Sequence, residues 1–431
     1  MAAALTALAL ALAACGGGSD AGTAGSSGGT GSGTSSGTGT GTGSGSGSSS
    51  SSGSGTSTTP TSAGPSIAGC PMFPASAVFN TRIDGLPVHA NSSRWINADA
   101  NASWTRTFAT ASGPDTRTFW PIDNRPLHAD WGTTVDATQL ATYWGIPYNV
   151  LDGTAVRSTW PVVSFAAADS PTGDYPGAVD ESDCAVATAT GWGIHANCQT
   201  LPAAERRFPF PTDATLKIEG GITSTGGDHH VLVVEPGACR LWESWYAYKT
   251  AGGGWYAGGT AAWDLNSLAM RPDGWTSADA AGLPILPLLA RADEASAGEI
   301  RHALRVTLPA SRIRGLWRQA YDGGYVWPAR HGVTAYGDVP LGAVMRLKAG
   351  TAIPGGWTTQ ARALATAMQR YGLVVADIGS TLFVQGEPSA QWDTATIEQL
   401  ATLKTVDFEF VDMTPITRHA GFSPDSYQAS W

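Results

Sequence analysis

The sequence predicts a mainly β fold, with a sandwich or barrel-like sheet core, an α/β C-terminal part, and all of residues 70–431 in one body. Short apolar runs alternate with segments rich in Gly, Pro, Asn and Asp through most of that body, which is typical of strands and turns. Helical spacing of apolar residues occurs only toward the C-terminus. A body of this length can bury a large core, in one lobe or in two.

Eight segments have the short apolar pattern of strands. They are residues 161–165, 215–219, 229–234, 240–246, 325–327, 343–348, 373–376 and 381–384. The sequence Glu-Pro-Gly-Ala at 235–238 separates the third segment from the fourth and is a turn signature. We therefore predict an antiparallel hairpin over residues 229–246.

Two helices are predicted in the C-terminal part. Apolar residues at 361, 364, 365, 368 and 371 fall on one face of a helix over 358–371, and Gly372 follows as a stop. A second helix over 392–403 begins near Asp393, whose side chain is suited to an N-cap. No repeat of 20–50 residues is visible, which argues against a propeller or a solenoid.

The N-terminus predicts export and a lipid anchor. Residues 1–14 form an apolar signal-peptide core that is shorter than the roughly 20 helical residues needed to cross a bilayer. Leu12-Ala13-Ala14-Cys15 resembles the lipobox of bacterial lipoproteins, which implies acylation of Cys15. Signal peptides normally begin with a positively charged segment, but no Lys or Arg precedes this core. A start codon placed too far downstream would explain the difference. Gly16 replaces the Asp that retains lipoproteins in the inner membrane, so the outer membrane is expected.

Residues 15–69 are predicted to be the lipidated cysteine and a disordered tether. From residue 16 to about 66 the chain is mostly Gly, Ser and Thr, with no aromatic residue and one charge, Asp20. Such a segment buries too little apolar surface to offset the entropy of ordering it. We therefore expect it to hold the globular body off the membrane surface.

Composition favours a glycan partner and argues against nucleic acid. The net charge of −10 does not suit a phosphate backbone. All 17 tryptophans follow Pro71. Many of them belong to the core, but a low charge combined with many Trp, Tyr and Gly is also typical of proteins that stack indole rings on sugars. No cofactor is predicted.

Four cysteines besides Cys15 predict two disulfides in an exported protein. Cys184 and Cys198 are the natural local pair, which leaves Cys70 with Cys239. There is no Cys/His spacing of a zinc site, so no structural metal is predicted.

Standard catalytic signatures, such as His-Glu-x-x-His, Gly-x-Ser-x-Gly or a P-loop, are absent from the sequence. The first candidate group is Gly227-Asp228-His229-His230 at the start of a strand. Side-chain alternation places His230, and not His229, on the face of Asp228. The alternative is a turn in which Asp228 caps a backbone N–H and one histidine packs in the core.

The second candidate is Glu243, which lies between Trp242 and Trp245 on the partner strand. Aromatic surroundings raise the pKa of a carboxyl toward the range of a general acid. The alternative is a Glu243 on the solvent face or in an ion pair.

A long ordered loop over 263–284 and a segment near 330 supply the remaining candidates. Trp275 and Asp279 lie in the loop, where the alternative is a network of Asx turns. His302 alternates with apolar neighbours and is more typical of a core histidine than of a ligand. Arg330 and His331 follow Trp327-Pro328 and suit the rim of a site, where Arg330 would bind a carboxylate such as a uronic acid.

These segments also resemble a family of exported bacterial proteins that has no established activity. The matching segments are Cys70-Pro71-x-Phe73-Pro74, Gly145-Ile146-Pro147-Tyr148, Gly227-Asp228-x-His230-Val231-Leu232-Val233-Val234, Cys239-x-Leu241-x-Glu243, the run from Gly274 to Pro287, Ile300-x-His302-Ala303-Leu304-Arg305, and Val326-Trp327-Pro328-Ala329-Arg330-His331. The resemblance covers nearly the whole body and implies one intact domain. It favours the Cys70–Cys239 pair, because both positions match, and marks the segment around Cys184 and Cys198 as an insertion.

The leading hypothesis is a surface-anchored carbohydrate-active enzyme acting on an extracellular polysaccharide. As a glycoside hydrolase it would use Glu243 as general acid and Asp228 or Asp279 as nucleophile or base. As a lyase it would use His230 or His331 as base, with Arg330 neutralising a uronate. Sugar-stacking residues would be Trp242, Trp245, Trp275 and Trp327.

Two alternatives come from other classes. One is a non-catalytic glycan-binding or adhesion lipoprotein, and the other is a metal-dependent hydrolase with Asp228, His230, His302 and His331 as ligands. An enzyme is favoured if Asp228, His230, Glu243, Asp279 and His331 come together beside several tryptophans. A binding protein is favoured if they scatter.

Overall fold

The computed structural model describes residues 64–96, 103–110, 113–132, 144–152, 159–189, 191–212, 215–224, 227–315, 324–335 and 337–431. The predicted signal peptide, Cys15 and residues 16–63 of the predicted tether lie outside these ranges. Within them, strands predominate over helices in one body, which confirms the mainly β prediction with α/β elements near the C-terminus. No helix in the described ranges is long and apolar enough to span a bilayer.

The strands are short and are numbered here in chain order. They are β1 (Ser66–Ile67), β2 (Cys70–Pro71), β3 (Trp104–Thr110), β4 (Gly113–Phe119), β5 (His128–Asp130), β6 (Tyr148–Val150), β7 (Val163–Ser164), β8 (Asp183–Thr188), β9 (Gly191–Ala196), β10 (Val231–Glu235), β11 (Arg240–Trp245), β12 (Tyr248–Lys249), β13 (Trp255–Tyr256), β14 (Gly259–Asp264), β15 (Leu304–Leu308), β16 (Val344–Leu347), β17 (Leu373–Ile378), β18 (Phe383–Gln385) and β19 (Phe408–Phe410).

Two sheets position the candidate site. The larger has six strands in the order β19-β16-β17-β15-β18-β5. It is a mixed sheet, because β15 runs parallel to β17 and β18 runs parallel to β5, whereas the other three pairs are antiparallel. The other has four strands in the order β14-β11-β10-β6 and contains the predicted hairpin, β10 paired antiparallel with β11. The remaining strands form the three-stranded sheet β12-β13-β7 and three two-stranded ribbons.

In the part of the chain that the structure describes, five α-helices accompany the sheets: α1 (Ser92–Trp95), α2 (Ala292–Ala297), α3 (Thr359–Arg370), α4 (Thr394–Leu400) and α5 (Thr414–Thr417). The two predicted helices are confirmed as α3 and α4. The Thr358 side chain caps α3 by accepting from Ala361 N, and Gly372, with φ +82°, follows its end. Asp393 caps α4 as predicted, by accepting from Ala395 N.

The four-stranded sheet lies between two hydrophobic cores because its central strands bury both faces. Leu232 and Val234 point into the larger core, which they share with the six-stranded sheet. Val233 points the other way, into a smaller aromatic core. Because side chains alternate along a strand, His230 lies on the face of Leu232, and so does Glu243, which is paired with Leu232 across the hairpin. Both charged residues therefore face the six-stranded sheet.

Both predicted disulfides are present. Cys70–Cys239 has a Cα–Cα distance of 5.1 Å and ties β2 to the turn of the β10/β11 hairpin. Cys184–Cys198 has a Cα–Cα distance of 5.4 Å and ties β8 to the 3-10 turn that follows β9.

Three details of the prediction were wrong. Residues 215–219 form no strand, because the Asn149 side chain bonds the backbone N–H and C=O of Lys217 in place of a neighbouring strand. Residues 325–327 make one isolated bridge, from Tyr325 to Leu341, before the chain turns at Pro328, which has no N–H to donate. Ordered structure also begins before Cys70, since β1 lies within the predicted tether and pairs with β2.

Candidate functional site

A β-bulge in the six-stranded sheet sets the position of Asp377. The parallel pairing of β15 with β17 is regular up to residue 306, and then Thr307 pairs with Asp377, so Ala376 is an extra residue. If the pairing continued regularly, Ala376 would pair with Thr307, and Asp377 would face the other side of the sheet. The bulge places Asp377 on the face that carries Thr307 and, two residues earlier, Arg305.

A row of polar side chains crosses this face. Asp130 is paired with Gln385, and Gln385 accepts a hydrogen bond from Arg305 Nη1 on the next strand. One oxygen of Asp130 accepts from Trp144 N at 2.6 Å. Burial raises the pKa of Asp130 to about 7. The row leads from the sheet edge to the bulge.

Arg305 is a single cation between two carboxyl groups. Its Nη2 lies 2.9 Å from Asp279 Oδ1 and 3.2 Å from Asp377 Oδ2. The side chains of Arg305 and Asp279 are fully buried, while that of Asp377 is 17% exposed. Burial and the neighbouring charge of Asp279 raise the pKa of Asp377 to about 8, and burial also raises the pKa of Asp279. Asp377 therefore holds a proton at neutral pH while retaining a route to solvent.

His230 and Glu219 form a buried ion pair opposite this row. His230 Nδ1 lies 2.7 Å from Glu219 Oε2, and its Nε2 lies 3.0 Å from Ala278 O. Both ring nitrogens therefore face acceptor oxygens, which requires a doubly protonated imidazolium. Burial alone would lower the pKa of His230, but Glu219 outweighs it and raises the pKa to about 9. This geometry does not support the predicted role of His230 as a base.

The His230–Glu219 pair makes the stability of the fold depend on pH. The folded pKa of about 9 lies above the unfolded value of about 6.5, so the pair contributes fully below pH 6.5 and its contribution is lost as pH rises through 9. We expect the free energy of unfolding to fall by on the order of 1–3 kcal/mol over that range. Urea unfolding at several pH values measures it, with the double variant Glu219→Gln/His230→Gln as control. An equal pH slope in both proteins would contradict the assignment.

Glu243 is held by the backbone and is not accessible. Its oxygens accept from Ile285 N at 2.9 and 3.0 Å and from Leu286 N at 2.9 Å, where a 3-10 helix begins at Leu286. The side chain is fully buried, and burial raises its pKa to about 7. Glu243 therefore anchors the loop after residue 284, and this arrangement does not support its predicted role as a general acid on a glycan.

Asp228 is the accessible carboxylate on the side of the four-stranded sheet. It is partly exposed, and its Oδ1 accepts from Trp245 Nε1 at 3.1 Å. Trp245 belongs to a group of three partly exposed rings with Tyr175 and Tyr246, whose centroids lie 5.3–5.8 Å apart. We call these three residues the aromatic wall. The charge of Asp228 also contributes to the raised pKa of Asp377, which places the two carboxyl groups in one electrostatic environment.

Hydrogen bonds to the backbone of the loop at residues 280–281 hold His331 beside the same cluster. Its N–H and its Nδ1 bond the carbonyl oxygens of Ala281 and Ala280, and Ala281 N in turn donates to the bulge carbonyl of Ala376. Gly282 has φ +69°, and a Cβ there would come within 2.6 Å of Trp275 O. This close packing brings the partly exposed His331 next to β17, the strand that carries Asp377.

The structure thus brings Asp228, His230, Glu243, Asp279 and His331 into one region, but it buries the second, third and fourth of them. The predicted Asx-turn alternative also applies to the loop, where Asp264 Oδ1 accepts from Asn266 N and the Ser277 hydroxyl accepts from Asp279 N in the equivalent serine turn. Burial is the main cause of the raised pKa values in the cluster, and the charge of Asp279 adds to it at Asp377 and Glu243.

Several predicted sugar-binding residues lie elsewhere. Trp242 is fully buried in the smaller core, and its indole donates to Glu235 Oε2. Trp327 donates to Ser426 O. Arg330 is 6% exposed and donates to Pro424 O and to Asp425, so the C-terminal segment occupies the guanidinium that was predicted to bind a uronate.

Two further predicted residues have structural surroundings. Trp275 is partly exposed and has the Arg271 guanidinium 5.6 Å from its ring centroid. His302 is fully buried between Glu294 and the Ala303 carbonyl, as predicted for a core histidine. No set of three His, Cys, Asp or Glu side chains in the described ranges converges as a metal site, so the arrangement gives no support to the metal-dependent alternative.

Comparison with protein-family models, curated proteins and solved structures finds no match to this chain. The functional argument therefore rests on the geometry of the site.

The sequence assigned no role to five residues of the site, Glu219, Arg305, Asp377, Asp130 and Gln385, although Arg305 lies in a segment that resembles the family. Asp377 lies near the carboxyl end of the buried strand β17, and polar residues at the carboxyl ends of parallel strands commonly carry function. That signal becomes usable only when β17 is known to run parallel to β15.

Proposed function

We propose that the protein is a glycoside hydrolase displayed on the bacterial outer membrane by acylation of Cys15. The observation that carries the proposal is the pair of accessible carboxyl groups, Asp377 and Asp228, of which Asp228 contacts the aromatic wall. The proposal includes a polysaccharide as substrate and a membrane as the site of anchoring, without nucleic acid or a cofactor. It reassigns the acid–base roles first given to Glu243 and Asp279.

Asp377 acts as the general acid. Its proton is retained at neutral pH because burial and Asp279 oppose ionisation, and its partial exposure lets a glycosidic oxygen approach. Arg305 and Asp279 act as positioning residues, since they hold the Asp377 carboxyl without being exposed themselves. As the glycosidic C–O bond breaks, the leaving oxygen takes the Asp377 proton.

Asp228 acts on the anomeric carbon, directly or through the attacking water. The Trp245 indole fixes its carboxylate by one hydrogen bond and leaves the other oxygen available. A sugar ring stacked on Trp245 would lie next to this carboxylate, because the same side chain provides the ring face and the hydrogen bond. The two carboxyl groups thus have separate roles in separate environments.

A non-catalytic glycan-binding protein is the second candidate, and the aromatic wall is the observation that favours it. Aromatic faces with a nearby hydrogen-bond acceptor suffice for binding a sugar without chemistry. The burial of most acidic residues of the cluster fits either candidate.

Product release from a panel of plant, algal and microbial glycans tests the proposal. Wild type is compared with the double variant Asp228→Asn/Asp377→Asn, which removes both proposed catalytic groups with little change of volume. Release by wild type alone supports the hydrolase. Retention of a glycan by both proteins without release supports the binding protein, and neither release nor retention would overturn both.

A further inference from the structure

We infer that Asp228 and the aromatic wall bind a protonated amine, so that the glycan taken at this site carries free amino groups, as in glucosamine residues. The inference rests on the proposed function and names its substrate class. It replaces the uronate that the sequence suggested.

The carboxylate of Asp228 is only half satisfied. Oδ1 accepts from Trp245 Nε1, whereas Oδ2 has no hydrogen-bond partner among the described residues and is not buried. A carboxylate whose second oxygen is accessible beside apolar surface provides an acceptor for an ammonium group. A charge-assisted hydrogen bond to that oxygen is stronger than one between neutral groups.

The aromatic wall supplies the second part of a cation site. Trp245 and Tyr246 are tilted by 31° with centroids 5.3 Å apart, and Tyr175 meets both rings edge-on at 5.8 Å. Ring faces attract cations, Trp most strongly. Because Asp228 is bonded to the indole of this wall, one ammonium group can contact the carboxylate and a ring face together.

The backbone holds this arrangement in a conformation that side chains normally avoid. His229 has φ +53° and Tyr246 has φ +54°, both in the left-handed region. The two segments are joined by hydrogen bonds from Tyr246 N to Asp228 O at 2.7 Å and from Ala247 N to His229 O at 3.3 Å. Strained residues of this kind concentrate at ligand sites, and here they flank the proposed carboxylate directly.

Among the described residues, the cations around the cluster are already engaged. His230 is 2% exposed and paired with Glu219, and Arg305 is fully buried between Asp279 and Asp377. Arg330 is bound to the C-terminal segment. The exposed carboxylate of Asp174 adds negative charge near Tyr246, whose pKa is raised by burial and by that charge. A positively charged sugar is therefore favoured over an anionic one.

A matched series of monosaccharides tests the inference independently of linkage. Glucosamine, N-acetylglucosamine, glucose and glucuronate are titrated at a pH where the amine is protonated. The host is Asp377→Asn, and the readout is the indole N–H signal of Trp245, assigned with Trp245→Phe. We expect glucosamine to bind about fivefold or more tighter than glucose, and glucuronate to bind more weakly. The preference should shrink as salt is added.

Asp228→Asn in the same host should bring the affinity ratio of glucosamine to glucose close to one. A ratio unchanged by this substitution, or no preference for glucosamine in the host, would overturn the inference while product release from the glycan panel still supports the hydrolase. If no sugar moves the Trp245 signal, the site assignment itself is overturned. If no glycan of the panel is cleaved or retained, that result overturns the proposed function itself, on which this inference rests.

Discussion

Replacing Asp377 by Asn is expected to reduce kcat of glycan hydrolysis by about 10²–10⁴-fold, the usual contribution of a general acid. The substitution removes the transferable proton but keeps the size and planarity of the side chain. Since Asp377 is already protonated at neutral pH, with a pKa raised to about 8 by burial and by Asp279, the fold should tolerate the change. Activity of the wild type should fall as pH rises through about 8, because the acid is then ionised.

The measurement is a pH profile of kcat and of kcat/KM, together with a circular dichroism melt to show that the variant is folded. Asp84→Asn is the matched control, because Asp84 is an exposed carboxylate paired with Arg82 outside the cluster. A folded Asp377→Asn variant with wild-type kcat would remove Asp377 from the mechanism.

Replacing Arg305 by Met is expected to lower the free energy of unfolding by about 3–5 kcal/mol at neutral pH. The variant keeps an unbranched apolar chain but removes the guanidinium that contacts Asp279 and Asp377. The deficit should shrink as pH falls, because Asp279, whose pKa is raised by burial, then becomes neutral like Asp377.

Chemical denaturation at two pH values measures this effect. Arg301→Met is the control, because the Arg301 side chain is 32% exposed and its pair with Glu299 lies at the surface, where a salt bridge contributes about 0–1 kcal/mol. Similar losses at positions 301 and 305 would show that the buried carboxyl groups do not depend on Arg305.

The elements that the sequence predicted are those with local signals. The β10/β11 hairpin follows from a four-residue turn, and α3 and α4 follow from apolar spacing, Gly372 and the cap at Asp393. The pairing of β18 with β5 joins residues 383–385 to 128–130, and strands of three residues have no periodicity to detect. Such pairings are set by packing and not by local sequence.

The sequence likewise predicted only those parts of the candidate site that depend on local signals. Asp228, His230 and Glu243 lie on one predicted hairpin, so alternation could place them on related faces. Arg305 and Asp377 come from strands far apart in sequence, and a bulge sets their common face. The burial of Glu243 depends on the loop amides that donate to it, and no local sequence pattern indicates these contacts.

The extra residue at Ala376 means that the pairing of β17, and not its length alone, decides whether the site is complete. A relative that lacked Ala376 could pair regularly with β15, and its aspartate would then lie opposite Thr307, on the face of Arg305. A relative that kept this residue but paired regularly would direct the aspartate to the opposite face, away from Arg305. When diverged sequences are compared, a one-residue gap in β17 is therefore compatible with an intact acid, and the register of the aspartate against β15 is the feature to check.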